Sequence, residues 1–126
     1  MKYTIQINQS AIIENNFNIK GTSLDTWALF DFLALCATNH DKLKKDGEFW
    51  FWVNFNYLQY ALPLCNFNEK KIKKHLDLLE QIGLISLSNG DRDDNKDDLF
   101  YKLNKDKVGG INEIYYTNKS TSNYRK

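Results

Sequence analysis

The chain has 126 residues, 42% of them apolar, and carries seventeen basic side chains against sixteen acidic ones for a net charge of +1. That length suits one domain that buries most of its surface and is short for two, and charge this evenly balanced neither announces a nucleic-acid binder nor excludes one, because local patches decide. No stretch approaches the ~18 apolar residues of a membrane span, and the opening MKYTIQINQSAIIENN lacks the apolar core of a signal peptide. Cys36 and Cys65 lie far apart in apolar contexts, which suits buried free thiols in a reducing cytoplasm better than a disulfide.

In chain order, Tyr3 to Ile7 alternates like a short strand, and Gln9 to Glu14 follows as a short helix. Thr22 with Asp25 three positions on fits a capping box, and the helix it opens is expected to run until Asn39 and His40. Its apolar residues, among them Trp27, Leu29, Phe30, Phe32, Leu33, Leu35 and Cys36, cover most of the circumference, with Asp25 and Asp31 as acidic interruptions, so the helix belongs at the centre of the fold or in a dimer interface. HDKLKKDGE is expected as a charged loop, FWFWV as a buried strand, and Asn54 as the cap of a helix FNYLQYAL that Pro63 ends. Asn68 then caps EKKIKKHLDLLEQI, with Ile72, Leu76, Leu79 and Ile82 at helical spacing and Gly83 as the stop. Leu84 to Ser88 and Leu99 to Asn104 form a hairpin around NGDRDDNKDD, and from Lys105 a basic tail is expected to fray, with a small apolar island at Ile114 to Tyr116.

This order of parts predicts an α+β fold, mostly α: a winged helix-turn-helix over residues 1–104 with a short N-terminal strand and helix and a C-terminal β-hairpin wing, followed by a tail over 105–126. The stretch FWFWVNFNYLQYALPLCNFNEKKIKKHLDLLEQIGLI resembles the winged-helix region of phage and plasmid replication-initiation and replisome-organiser proteins, in which an aromatic strand precedes a helix ending in Leu-Pro and a second helix ends in Leu-x-x-x-Gly-Leu-Ile. MKYTIQINQSAIIE and LFDFLAL are similar to the start of the same family. The resemblance covers roughly residues 1–104, and its motifs are core and turn signals that speak to fold more than to function.

Three groups of residues are candidates for function. With Ile72, Leu76 and Leu79 turned inward, steps of 100° place Lys70, Lys73, Lys74, Asp77 and Gln81 on the outer face of their helix. The resemblance makes this the recognition helix, with lysines for phosphates or guanine and Gln81 for adenine; the plainer reading is a solvated face. In the aromatic strand, Trp50 and Trp52 point to one side and Phe49, Phe51 and Val53 to the other, and core packing is expected for both sets, with base stacking or an interface as the other possibility. In the acidic loop, Asp91-x-Asp93-x-Asn95-x-Asp97 has the spacing of half an EF-hand, but the turn position holds Lys96 and the closing position Lys102, so a solvated hairpin tip is expected and no metal.

Residues 91–98 nevertheless sum to −3, from five aspartates against Arg92 and Lys96, where a DNA-probing wing carries positive charge. The tail from Lys105, with five bases and two acids, sums to +3 and supplies attraction of its own. His40, His75, Ser23 and Ser88 stand alone, and there is no phosphate-cradling glycine loop, so neither an enzyme nor a cofactor is expected. Two functions compete. The first is a phage or mobile-element DNA-binding protein of replication initiation or transcriptional control, acting on duplex DNA through Lys70, Lys73, Lys74 and Gln81. The second is a protein-binding module on the same scaffold, for example a phage-encoded inhibitor of a host nucleic-acid enzyme of the anti-CRISPR kind, docking Asp91, Asp93, Asp94, Asp97 and Asp98 on a basic groove. A homodimer is compatible with either.

Overall fold

The computed structural model describes residues 4–37, 42–45 and 47–107. It is an α+β fold in which α1 (Gln9–Glu14), α2 (Leu24–Cys36), β1 (Lys42–Lys45), β2 (Glu48–Trp52), α3 (Phe55–Ala61), a 3₁₀ turn (Pro63–Cys65), α4 (Glu69–Ile82), β3 (Ile85–Asn89) and β4 (Leu99–Leu103) follow one another. The strands form one antiparallel sheet in the order β1-β2-β4-β3.

Helix α2 is the centre of the molecule. Every residue from Thr26 to Ala34 is buried, because α4, the sheet and the N-terminal segment each cover part of its circumference. An all-round apolar helix is stable only in such a position. Tyr101 on β4 ties the sheet to it by donating its hydroxyl to the Leu33 carbonyl, 2.7 Å away and buried. Tyr101→Phe is therefore expected to lower unfolding free energy by about 0.5–1.5 kcal/mol, since the buried carbonyl keeps only its helix bond from the Ala37 N–H at 3.0 Å, and urea titration measures the drop. Helix α4 buries Ile72, Leu76 and Leu79 against α2, and Asn68 caps it by accepting the Lys71 N–H at 2.7 Å.

Several expectations are corrected. Thr4 to Ile7 is not a strand, and Tyr3 lies outside the described residues. Among the described residues no strand pairs with that segment; instead the Gln6 N–H donates to the buried Asp31 carboxylate at 3.1 Å, and Ile7 packs on the core. Asp31 is thus an anchor for the N-terminal segment. The cap of α2 falls one residue later than Thr22: Ser23 donates its N–H to Thr26 Oγ1 at 3.0 Å, while Thr22 bonds back to Ile19 O and Asp25 turns to Lys71. The helix ends at Cys36, and Asn39 and His40 lie outside the described residues.

The charged loop HDKLKKDGE contains a strand. Residues 42–45 pair with β2 in the register Lys45↔Glu48 to Lys42↔Phe51, with Gly47 before β2 at φ +79°. That conformation favours glycine, and Asp-Gly between two pairing runs is a hairpin signal in its own right. The strands of the second hairpin begin and end within a residue of their expected places.

Candidate nucleic-acid interface

Helices α3 and α4 are fixed to each other by a turn built from residues that suit it. Asn54 caps α3 by accepting the Tyr57 N–H at 3.0 Å, Pro63 opens the 3₁₀ turn, and Asn66 closes it at φ +52°, a left-handed conformation that asparagine tolerates. Lys71 then staples the start of α4 from below. Its ammonium meets Asp25 Oδ2 at 2.8 Å, donates to the Cys65 carbonyl and lies over the Phe67 ring. Partial burial pushes the Asp25 carboxyl up, but the hydrogen bonds from Lys71 and Cys65 and the nearby positive charge outweigh it, and its pKa stays below the usual aspartate value. Burial also pushes the Cys65 thiol up to about 11. That group holds structure together and leaves α4's opposite face to solvent.

On that face Lys70, Lys73, Lys74, Asp77 and Gln81 are all exposed, in one stripe about 16 Å long. The structure thus brings the four predicted binding residues together, with Asp77 breaking the stripe. Lys73 sits 3.6 Å from Glu69 one turn earlier and over the Phe55 ring of α3. Two exposed side chains of this kind hold each other weakly and can exchange partners. Angular position already left Lys71 out of the outer face in the sequence, but its partners Asp25 and the Cys65 carbonyl come from other parts of the chain and carry no local signal.

Inside the same helix His75 is buried, its Nδ1 2.8 Å from Thr26 Oγ1 and its ring against Phe67. Since that hydroxyl accepts the Ser23 N–H, its own proton is left for Nδ1, which suits a neutral imidazole. Burial, with Lys74 and Lys71 nearby, lowers the His75 pKa despite the opposing pull of Asp25. The unfolded chain therefore binds a proton at His75 before the folded one does. Stability is full above about pH 6.5 and falls as pH drops through the folded value, at up to ~1.4 kcal/mol per unit inside that window. Melting at pH 7.5 and at pH 5 is expected to show the loss, and His75→Gln to reduce it.

The acidic loop is organised by Asn95, not by its aspartates. Asn95 is buried, its Oδ1 accepts the Arg92 N–H at 2.9 Å, and it lies so close to Gly90 that a Cβ there would stand 2.1 Å from Oδ1. Gly90 is thus required by that close approach. Asp91, Asp93, Asp94, Asp97 and Asp98 all point to solvent, with Arg92 3.3 Å from Asp94. The base of this hairpin continues the pairing of β2 with β4, where the Val53 N–H donates to the Leu99 carbonyl at 2.9 Å.

The aromatic strand divides differently from expectation. Val53 is buried and Phe51 half-buried against the core, and Trp50 is buried on the opposite face beneath Lys102, which also bonds Glu48. Phe49 and Trp52 remain exposed, against the expected core packing of every ring in the strand. Lys102, the residue at the closing position of the calcium pattern, is occupied by these sheet contacts. Both cysteines are free thiols, Cys65 buried and Cys36 partly so. Among the described residues no helix is long and apolar enough to cross a membrane.

Compared with known protein families, curated proteins and solved structures, the chain finds no match.

Proposed function

We propose that the protein is a winged helix-turn-helix DNA-binding protein of phage or mobile-element type, serving replication initiation or transcriptional control. The observation that carries this reading is the exposed stripe of Lys70, Lys73, Lys74 and Gln81 on α4, the second of two helices joined by a tight turn and followed directly by a β-hairpin. In this reading α4 enters the major groove, the three lysines neutralise phosphates and fix the register, and Gln81 donates to and accepts from an adenine edge. About three phosphate contacts give a log-log salt slope near −2.7, so affinity for duplex DNA falls about forty-fold between 50 and 200 mM salt. Titrating a labelled duplex at several salt concentrations tests it, and duplex binding that is absent or indifferent to salt ends the reading.

One observation favours a second reading. Five exposed aspartates on a loop held rigid by Asn95 form a preorganised acidic surface, as a protein that occupies the phosphate site of a host nucleic-acid enzyme requires. In that case α4 is only a scaffold face, and the loop carries the binding.

A further inference from the structure

We infer that the protein binds single-stranded nucleic acid in a trough between β2 and β4. The inference does not rest on the duplex-binding reading, since none of the residues it uses lies on α4.

Strands β2 and β4 pair through Phe51↔Tyr101 and Trp52↔Phe100. Both run on past that pairing towards the same end of the sheet, β2 back to Glu48 and β4 on to Leu103. A cleft of about 430 Å³ opens there, lined by Glu48, Phe49 and Phe51 from β2 and by Lys102, Leu103 and Lys105 from the end of β4 and beyond. Its volume lies within the range of ligand sites, about 300–1,000 Å³. A second cleft of about 550 Å³ shares Glu48, Lys102, Leu103 and Lys105 with the first and continues along residues 104–107, so the two form one trough.

Two features select the occupant. The first is an aromatic surface: Phe49 is 50% exposed, with the half-buried Phe51 lining the same cleft. The second is positive charge. Lys102, Lys105 and Lys107 stand against Glu48 and Asp106, and β1 adds Lys42, Lys44 and Lys45 at the register positions opposite Phe51, Phe49 and Glu48. Glu48 bonds Lys102, whose ammonium also lies over the Trp50 ring, and Lys107 donates to the Ile82 carbonyl. These contacts fix the walls, while the exposed Lys105, which lines both clefts, is placed to meet a ligand.

An aromatic platform beside lysines is matched by flat rings strung on phosphates, with a base stacked on Phe49 and a phosphate on Lys105. A duplex does not fit, because its bases cover one another's faces and only unpaired ones can stack on a side chain. An acidic peptide would satisfy the lysines and leave Phe49 in water. The trough continues past the first cleft, which gives room for a strand. Stacking and phosphate attraction read neither base identity nor the 2′-hydroxyl, so DNA and RNA strands are both accepted.

Fluorescence anisotropy of labelled oligo(dT) and oligo(U), each of about twelve nucleotides, tests this on the full chain. In about 50 mM salt both are expected to bind below about 100 µM, and more weakly as salt is raised. Phe49→Leu keeps the apolar bulk and removes the ring, so it is expected to weaken binding about tenfold, whereas Phe49→Trp is expected to bind at least as tightly as wild type. Lys105→Ala, at an exposed position, should leave the thermal midpoint in place and flatten the salt slope by about 0.7. The protein with Lys70, Lys73 and Lys74 changed to alanine is expected to bind these strands as wild type does, which separates this site from α4. Several results would each overturn the proposal: no binding at about 100 µM, Phe49→Leu and Lys105→Ala proteins that bind as wild type does, loss of binding in the α4 variant, or an oligoglutamate of equal length that competes as well as unlabelled oligo(dT).

Discussion

Changing Lys70, Lys73 and Lys74 together to alanine is expected to weaken duplex binding on the order of a few hundred-fold at about 0.1 M salt. Each phosphate contact releases counterions worth about 1.2 kcal/mol at that concentration, and three are removed. The salt slope should move from about −2.7 towards zero, the part of the result that a general loss of fold cannot imitate. All three side chains are exposed, so folding stability should change by less than about 0.5 kcal/mol. Lys71→Met makes the sharpest comparison, one residue away. It breaks the contacts with Asp25 and the Cys65 carbonyl, so it should lower the thermal midpoint while leaving the salt slope of the remaining folded protein unchanged. If Lys71→Met flattened the slope and the triple substitution did not, phosphate contact would lie elsewhere than on the outer face of α4.

The elements of this fold that were legible in the sequence are those whose local signals and core contacts agree. In α4 the cap at Asn68, the apolar spacing of Ile72, Leu76 and Leu79 and the stop at Gly83 all specify the same fourteen residues, and the helix is found there. The same agreement placed α3 after Asn54 and the second hairpin around its acidic loop. The errors came where one signal hid another. In HDKLKKDGE the charges obscured the Asp-Gly sequence signal, and β1 pairs with an aromatic strand able to hold even a lysine-rich partner by backbone bonds. At the N-terminus alternation alone suggested a strand, but a strand needs a free edge, and the segment found a buried carboxylate instead.

Function was less legible for a different reason. The outer stripe of α4 follows from angular arithmetic once the core line is known, so Lys70, Lys73, Lys74 and Gln81 emerged from the sequence together. What periodicity cannot show is which neighbours come from other elements. Lys71 meets Asp25 across 46 positions of sequence, and His75 meets Thr26 across 49. The exposure of Phe49 and Trp52 is of the same kind, since it depends on how distant parts of the chain pack around β2, and composition alone favoured burial for every ring in that strand.

The acidic loop separates the two readings of function, and reversing its charge gives the decisive experiment. Asp93→Lys with Asp97→Lys changes residues 91–98 from −3 to +1, because each substitution adds two charges. Both side chains are exposed, and the pair leaves the Arg92–Asp94 contact and the Asn95 turn in place, so the loop should keep its shape. The wild-type aspartates repel any duplex lying along α4 wherever it comes within a Debye length of about 8 Å of the loop. A DNA-binding protein should therefore bind duplex on the order of tenfold more tightly after reversal. Each new lysine that reaches a phosphate should also steepen the slope by about 0.9, towards −4.5 if both do, and the gain should fade as salt is raised. A protein that uses the loop to fill a basic groove should respond with the opposite sign, gaining nothing on DNA while losing its partner, because desolvated like charges cost more than the contacts they replace. The sign of one measured change thus assigns the binding to α4 or to the loop.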